Sequence, residues 1–375
     1  MSPVLQTLAD LVRINSVNSS YEGGPGEGEV AAYVRRFFEA RGMEAWEQEV
    51  FPGRPNVLAR LPGRNPQRRI VLEAHTDTVS VKGMTIPPFE PSIRDGRMYG
   101  RGSCDTKAGL ATMMHAMAAL KEEGVVPPCE VLLAAAVDEE YSYRGVVRLC
   151  EGLKADAAIV AEPTELRAVI ATKGVLRCRI VVHGRSAHSS KPHLGVNAIT
   201  HMARVIAAIE EDNARLAGIQ HPLVGCGTCN VGVISGGVQV NFVPDRCMIE
   251  IDRRLLPGDR AEDAVAHYRG LLSGIEGVRA EVEEPLLLVD EALDTPADSD
   301  VVRTAVQVLR ELGMNAEPCG VPFGCDASKL SRAGVPSIVF GPGSIDRAHT
   351  ADEYIEVDQV EAALEFQKRF LLSFA

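Results

Sequence analysis

The chain has 375 residues, of which 46% are hydrophobic and 24% are charged, and its formal net charge is −12 at pH 7. An acidic chain without clusters of Lys and Arg excludes nucleic acid or an anionic membrane as the main partner. No apolar run approaches the roughly 20 residues that a membrane-spanning helix needs. The length exceeds that of one ordinary core, so two domains are expected.

The first segment and the cysteines indicate a reducing compartment. Residues 4–12 have the apolar spacing of a helix and include an acidic residue, so they do not predict a signal peptide, and a cytoplasmic location is expected. The nine cysteines are scattered, which is typical of reduced and buried thiols. Cys226 and Cys229 form the only CxxC pair, which we interpret as part of an ordinary loop, with its role left open.

The first part of the chain alternates predicted helices and strands. In chain order these are a helix over residues 29–41, strands over 45–51, 56–61 and 69–77, a hairpin over 93–99, a helix over 108–123, and strands over 131–137 and 157–161. Such alternation predicts an α/β domain with a largely parallel sheet.

The pattern changes near residue 172. Apolar and polar residues alternate over residues 176–183, which predicts a strand with one face in water. The elements that follow are a helix over residues 196–210, strands over 228–234 and 246–254, a helix over 259–272 and a strand over 278–283. This β-α-β-β-α-β order predicts a ferredoxin-like domain. We expect it to occupy residues 172–285, inserted into an α/β host of residues 1–171 and 286–375.

Five predicted strands or hairpins lead into acidic or histidine residues. They are residues 69–75 with His75 and Asp77, the hairpin of residues 93–99 with Asp105, residues 131–137 with Asp138, Glu139 and Glu140, residues 157–161 with Glu162, and residues 337–340 with His349. Open α/β sheets bind ligands outside the carboxyl ends of their strands. Imidazole and carboxylate are also the ligands that zinc takes in catalytic sites. The sequence therefore predicts one polynuclear metal site.

Neighbouring residues in these groups suggest different roles. His75 and Asp77 are two apart, so their side chains share a face of the strand and Asp77 can hold the imidazole by a hydrogen bond. Glu139 and Glu140 are adjacent and point in different directions, so one can bind metal while the other acts as base. For Asp105 alone, a simple role as a helix cap is a reasonable alternative.

Four motifs together resemble those of the dinuclear zinc deacylase and exopeptidase family. They are His75-Thr76-Asp77, the segment from Gly100 to Lys107, Asp138-Glu139-Glu140 and Glu162-Pro163-Thr164. That family includes acetylornithine deacetylase, succinyl-diaminopimelate desuccinylase, aminoacylase and carboxypeptidase G. The resemblance implies a zinc-exopeptidase-like α/β/α catalytic domain with an inserted lid and dimerisation domain. Residues 184–190 and 341–349 are most similar to acetylornithine deacetylase.

The resemblance also implies a role for each site residue. His75, Asp105 and Glu162 would bind one Zn²⁺, and Asp105, Glu140 and His349 the other, with Asp77 orienting His75 and Glu139 acting as general base toward a metal-bridged hydroxide. Two dications, three ligand carboxylates and one hydroxide sum to a neutral cluster, as burial requires. Co²⁺ or Mn²⁺ in place of Zn²⁺ is left open.

Three residues of the inserted domain would act on the substrate by the same resemblance. His188 would donate a hydrogen bond to the developing oxyanion, often at the site of the partner subunit, and Asn241 and Arg254 would bind the substrate. Arg254 suits a bidentate grip on an α-carboxylate, although an ordinary surface role is the alternative. A homodimer through the inserted domain is therefore expected.

The implied reaction is hydrolysis of N-acetyl-L-ornithine to ornithine and acetate, a step of arginine biosynthesis. Residues 323–329 differ from the Gly-Thr-Ser-Asp segment of desuccinylases, which disfavours desuccinylation but leaves it open. An aminoacylase or a carboxypeptidase G-like peptidase is a further open alternative. Two further alternatives are a non-catalytic binding protein, for which Glu139 would have no use, and a cysteine hydrolase based on Cys104 or Cys325.

Overall fold

The structure is a computed structural model that describes residues 1–375. Its α-helices are α1 (Pro3–Arg13), α2 (Gly28–Glu39), α3 (Lys107–Glu122), α4 (Arg144–Cys150), α5 (Ala198–Ala217), α6 (Ala261–Ser273), α7 (Asp300–Glu311), α8 (Ala327–Arg332) and α9 (Val357–Ser373). Two short 3-10 helices lie at Pro192–Leu194 and Ile345–Arg347. No helix combines the length and the apolar character that crossing a membrane requires.

The strands are β1 (Glu44–Phe51), β2 (Arg54–Leu61), β3 (Asn65–His75), β4 (Ser92–Arg94), β5 (Arg97–Tyr99), β6 (Cys129–Ala136), β7 (Ala157–Val160), β8 (Val169–Thr172), β9 (Gly174–His183), β10 (Ala187–His188), β11 (Gln220–His221), β12 (Gly225–Cys226), β13 (Thr228–Gly236), β14 (Phe242–Val243), β15 (Arg246–Leu255), β16 (Arg279–Asp290), β17 (Cys319–Val321), β18 (Ser337–Val339) and β19 (Tyr354–Glu356). Nearly every strand and helix that the sequence predicts lies within a few residues of its predicted position.

The chain divides into two compact units. The host unit comprises Met1–Ile170, Thr295–Cys319 and Cys325–Ala375, and the inserted unit comprises Ala171–Asp294 and Gly320–Gly324. The inserted unit extends beyond residue 285, its predicted end, because strand β16 continues through Pro285 to Asp290. The pairing of β16 with β9 shifts register between Glu283 and Leu288, and such an irregularity accommodates a residue without an N–H donor.

The host unit is built on an eight-stranded sheet in the order β1-β2-β6-β3-β7-β18-β8-β17. Strand β3 runs parallel to β6 and β7, and β18 runs parallel to β7. Every residue of β6 and β7 is buried, as expected for parallel strands covered on both faces. The carboxyl ends of these four parallel strands therefore lie at the same edge of the sheet.

Helices α3 and α9 form much of the core of the host unit. Most residues of α3 are buried, including Met113, Met114 and Met117. In α9 the ring of Phe366 stacks on Phe340 with centroids 3.8 Å apart. Helix α3 begins directly after Asp105 and Thr106, so the burial of α3 in the core gives the Asp105 loop a rigid support.

The predicted hairpin does not join the main sheet. Strands β4 and β5 pair with β19 in a separate three-stranded sheet. The expectation that Asp105 follows the carboxyl end of a strand in the same sheet as the other candidate ligands is therefore wrong. The hairpin lies outside the main sheet because β5 pairs with a strand near the end of the chain, where Tyr354 is opposite Tyr99. The local sequence does not reveal such a distant partner.

The inserted unit contains a four-stranded antiparallel sheet in the order β13-β15-β9-β16. Alternate residues of β15 are buried, and their side chains pack with apolar residues of α5 and α6 in a separate core. With the intervening helices, this strand order is that of a ferredoxin-like unit. The edge strand β13 leaves Val233 and Ile234 exposed.

Candidate metal centre

The main sheet brings four candidate ligands to one edge, either at the end of a strand or in the loop that follows it. His75 is the last residue of β3, Glu140 lies in the turn after β6, Glu162 follows β7, and His349 lies in the loop after β18. Asp105 reaches the same place from the loop that precedes α3. The structure thus assembles five side chains from segments far apart in the chain.

His75, Asp105 and Glu162 form the first ligand set. The Nε2 atom of His75 lies 3.0 Å from Oδ1 of Asp105 and 4.0 Å from Oε1 of Glu162. All three residues are buried, and their ligand atoms lie within 4.8 Å of one another. Atoms that each lie about 2.0–2.2 Å from one Zn²⁺ have separations of this order, so the set suits a single divalent cation.

Asp105, Glu140 and His349 form the second ligand set. The Nε2 atom of His349 lies 3.2 Å from Oδ2 of Asp105 and 3.0 Å from Oε1 of Glu140. These ligand atoms also lie within 4.8 Å of one another. Asp105 offers Oδ1 to the first set and Oδ2 to the second, which is the arrangement that a carboxylate bridging two cations requires.

The charge of the site favours cations. The ion pairs of Asp105, Glu140 and Glu162 are with histidines, and no Lys or Arg pairs with any of the three. Burial raises the pKa of Glu140 to about 7 and raises that of Glu162 well above its usual value. Repulsion from the Asp105 carboxylate adds to the effect of burial in both cases. The imidazole nitrogens and carboxylate oxygens of this donor set fit divalent cations.

Cation binding at this site should release protons. Burial alone would lower the pKa of His349, but hydrogen bonds to Asp105 and Glu140 raise it to about 10, and Asp105 and Asp77 likewise raise that of His75. Both imidazoles are then protonated at pH 7 without cations, whereas ligation requires neutral imidazole. We expect Zn²⁺ binding at pH 7 to release about two protons or more per chain, and affinity to rise with pH up to the pKa of His349.

Calorimetric titration in two buffers of different ionisation enthalpy measures this number. A His349→Ala variant should release about one proton fewer. Binding without proton release in the parent chain would contradict these protonation states.

Asp77 lies beside His75 but makes more bonds to the neighbouring turn. Nδ1 of His75 is 3.0 Å from the backbone oxygen of Asp77, while the Asp77 carboxylate is 3.6 Å away. The carboxylate accepts the backbone N–H groups of Glu139 and Glu140, each at 3.1 Å. The Asp77 carboxylate therefore fixes the turn that carries Glu139 and Glu140. The hydrogen bond of the imidazole is to the Asp77 backbone oxygen and not, as the sequence predicts, to the carboxylate.

Sequence reasoning missed a buried polar network behind this turn. The side-chain amide of Asn18 donates to Asp77 at 2.8 Å and to Asp138 at 3.0 Å. Glu27 pairs with Arg54 at 2.7 Å and accepts the backbone N–H of Asp138 at 3.1 Å. Asp138 itself has φ of 70°, a left-handed conformation that this network stabilises. No local motif marks Asn18, since its partners lie 59 and 120 residues away.

Replacing Asn18 with alanine should weaken both the fold and the site. Two hydrogen bonds to buried carboxylates are lost, so we expect the free energy of unfolding to fall by about 3 kcal/mol. The turn bearing Glu139 loses support, and kcat should fall about 10-fold or more. Chemical denaturation and steady-state kinetics measure the two effects.

Asn15→Ala is the matched control, because the Asn15 side chain accepts one local bond from the backbone of Val17. Equal effects of Asn15→Ala and Asn18→Ala on kcat would contradict the positioning role of Asn18.

The predicted substrate residues all lie in the inserted unit. His188 is opposite Phe242 in the small β10–β14 ribbon, and Ser189 donates its N–H to the backbone oxygen of Asn241 at 3.0 Å. The structure therefore brings His188 and Asn241 together, both exposed to solvent. Arg254 lies near the far end of β15 from this ribbon and donates from Nε to Asp252 at 2.7 Å.

The cysteines lack the environment of a nucleophile. Burial raises the pKa of the Cys104 and Cys325 thiols well above the usual value, so neither forms the thiolate that a cysteine hydrolase uses. Cys226 and Cys229 both carry free thiols, and burial raises the pKa of Cys229 as well. These observations disfavour the cysteine-hydrolase alternative and add no second function to the CxxC pair.

An α/β unit with a mixed sheet, and with two ligand sets of histidine and carboxylate that share Asp105, is typical of a class of metal-dependent hydrolases. Residues 71–373 match the model of peptidase family M20/M25/M40, and the chain belongs to this family. It is accordingly a metallohydrolase of the M20 type, as the sequence motifs predict.

Known proteins resemble the chain over nearly its whole length. It is 33% identical over 350 residues to an acetylornithine deacetylase of Myxococcus xanthus, covering 88% of this chain and 87% of that protein. It is 26% identical over 392 residues to a probable succinyl-diaminopimelate desuccinylase of Staphylococcus aureus, covering 94% and 93%. A solved dinuclear metal binding peptidase of the M20 family from Bacillus subtilis superposes with a TM-score of 0.74 at 17% identity, covering 99% and 98%. The predicted family and α/β fold class are confirmed.

Proposed function

We propose that the chain is a deacylase of N-acyl amino acids of the acetylornithine deacetylase type, which converts N-acetyl-L-ornithine and water to ornithine and acetate. The observation that carries the proposal is the Asp105 carboxylate, whose two oxygens each contact a separate histidine, His75 and His349. The relative from Myxococcus xanthus favours N-acetylornithine as substrate.

We further propose that two Zn²⁺ ions occupy the two ligand sets, with His75, Asp105 and Glu162 holding one and Asp105, Glu140 and His349 the other. The name of the Bacillus subtilis peptidase, a dinuclear metal binding protein, supports the number of ions. Bound cations of this kind acidify water and act as Lewis acids toward a carbonyl oxygen. Co²⁺ and Mn²⁺ take the same ligand types and remain alternatives.

Glu139 is the residue suited to moving protons. Its backbone N–H is fixed by Asp77, and no ion pair or hydrogen bond engages its carboxylate. Burial and the neighbouring Glu140 raise its pKa, although His75 opposes them, and a raised pKa suits a base that works near neutral pH. Glu139 would take a proton from the attacking water and deliver it to the leaving amine, while the remaining hydroxyl joins the acyl carbon.

We propose that His188, Asn241 and Arg254 act on the substrate and that the chain works as a homodimer. His188 and Asn241 lie at the opposite end of β15 from Arg254, roughly 25 Å away along eight strand residues. One amino-acid-sized substrate does not span that distance, so the three residues serve one site only if two subunits contribute. The exposed apolar residues Val233 and Ile234 on edge strand β13 support pairing of two chains.

Subunit mixing tests the shared site. We expect His188→Ala and Glu139→Ala chains each to be inactive alone, whereas a mixed dimer would combine an intact Glu139 with an intact His188 in one of its two sites. Mixing equal amounts under exchange conditions should restore about a quarter of the parent activity. No recovery despite verified exchange would contradict the shared site and leave the metal centre unaffected.

The acyl group is tested by a substrate panel with the Zn²⁺-reconstituted chain. We expect N-acetyl-L-ornithine to give the highest kcat/KM among N-acetyl, N-succinyl and N-formyl amino acids and simple dipeptides. A preference for N-succinyl-diaminopimelate would favour the alternative that the Staphylococcus aureus relative suggests. A preference for dipeptides or for many N-acyl amino acids would favour an aminoacylase or carboxypeptidase G-like enzyme. A place in arginine biosynthesis and a cytoplasmic location stay predictions of the sequence.

A further inference from the structure

Glu353 is a fully buried carboxylate outside both ligand sets. Its Oε1 accepts the backbone N–H groups of Cys104 at 2.9 Å and Asp105 at 3.0 Å, and its Oε2 accepts that of Gly102 at 3.1 Å. Three backbone donors of one short loop thus converge on one side chain. The loop is the one that ends in Asp105, the residue shared by the two ligand sets.

Arg101 completes this arrangement. Its Nη1 donates to Oε2 of Glu353 at 2.7 Å, and the pair is almost completely buried. Its Nη2 donates to the backbone oxygens of Ser80 at 3.2 Å and Thr350 at 3.3 Å. Thr350 directly follows His349, so the guanidinium contacts the segment that carries the histidine of the second set.

The two ligand sets differ in what holds them. His75 ends the central strand β3 and Glu162 closely follows β7, so the main sheet positions the first set. His349 lies on a loop, with 51% of its side chain exposed. The segment from His349 to Glu353 is held against the Asp105 loop mainly by the Glu353–Arg101 pair. On its other side, the backbone oxygen of Ala351 accepts hydrogen bonds from the backbone and side chain of Thr85.

We propose that Glu353, together with Arg101, is a positioning residue for the second cation, because it holds the Asp105 loop and the His349 segment against each other. The inference rests on the proposed pair of cations. Its consequence is that the Glu353–Arg101 pair sets the affinity of the second ligand set more than that of the first. Partners of this kind behind metal ligands commonly change affinity by about 10–100-fold when removed.

Glu353→Gln tests the proposal with little change in shape. A glutamine has one acceptor oxygen and one donor NH₂ group, so it must direct a donor toward backbone N–H groups or toward Arg101. Glu356→Gln is the matched control, since Glu356 lies three residues further along the chain and its carboxylate forms a 4.0 Å ion pair with Arg97.

Titration of the full-length metal-free chain with Co²⁺ alone gives the two dissociation constants. In Glu353→Gln we expect the dissociation constant of the second ligand set to rise about 10–100-fold, while that of the first ligand set changes little. Both constants of Glu356→Gln should match those of the parent chain. Hydrogen exchange in the metal-free chain should quicken at the amides of Gly102, Cys104 and Asp105 in Glu353→Gln only. The proposal would be overturned if Glu353→Gln bound both cations with the affinities of the parent chain, or if its affinities for both cations fell equally.

Arg101→Lys provides the same test if Glu353→Gln does not fold. Lysine keeps the charge but lacks the second arm of the guanidinium fork, so the contact with Thr350 is lost and the second cation should again be weakened selectively. Unchanged affinities in this variant would overturn the proposal. A parent chain that binds two cations but hydrolyses no N-acyl amino acid overturns only the proposed substrate, whereas a parent that binds fewer than two overturns both.

Discussion

Replacing Glu139 with glutamine should lower kcat by about 10²- to 10⁴-fold, the range for loss of a general base, while the chain keeps its full cation content. Glutamine is nearly the same size but accepts no proton. The Glu139 carboxylate has no ion-pair partner, and its backbone is held independently by Asp77. The substitution therefore removes proton transfer without removing a ligand or a structural contact, and KM should change little.

The adjacent residue supplies a matched control. Glu140 lies in the same turn, and its backbone is held by the other oxygen of Asp77, but its carboxylate contacts His349 at 3.0 Å. Glu140→Gln should lose one cation per chain, and excess metal should restore part of its activity, unlike that of Glu139→Gln. Parent-like kcat in Glu139→Gln, or loss of a cation from it, would show that the roles of the two residues are misassigned.

Asp105→Asn should have the largest effect on metal binding. The two carboxylate oxygens of Asp105 serve different ligand sets, at 3.0 Å from His75 and 3.2 Å from His349. Asparagine replaces one of these oxygens with an NH₂ group, which does not bind cations, and its remaining oxygen is uncharged. We expect the affinity for both cations to fall by more than about 100-fold, beyond the effect of removing an outer contact, and activity to fall with it.

Cation content after dialysis, determined by elemental analysis, measures this effect. Glu162→Gln is the control, because Glu162 belongs to the first set alone and its loss should leave one cation bound. An Asp105→Asn chain that retains two cations would refute the shared carboxylate, and equal losses in the two variants would contradict the division into two sets.

The central part of the fold could be predicted because its signals are local. Apolar runs without Gly or Pro define β3, β6, β7 and β18, and parallel strands necessarily bring their carboxyl ends to one edge of a sheet. His75, Glu140 and Glu162 directly end or closely follow such strands, so their convergence follows from the pattern. The β-α-β-β-α-β order of the inserted unit was readable for the same reason, since alternation and helical spacing are both short-range.

The remaining features depend on contacts between distant segments. Strand β5 gives no sign that its partner is β19, so the route by which Asp105 enters the site was misjudged. Asn18 and Glu353 act through bonds to a side chain or to backbone groups far away in the sequence, and no motif announces such a partner. The carboxylate of Asp77 likewise accepts N–H groups that appear only once the turn after β6 has formed.

Anomalous diffraction at the zinc absorption edge from crystals of the Zn²⁺-reconstituted chain would test the central claim most directly. Two peaks per chain should appear on either side of the Asp105 carboxylate, one among His75, Asp105 and Glu162 and the other among Asp105, Glu140 and His349. A chain whose zinc lies elsewhere, or whose His75 and His349 face an ordered side chain in place of metal, would contradict the assignment of a two-cation hydrolase.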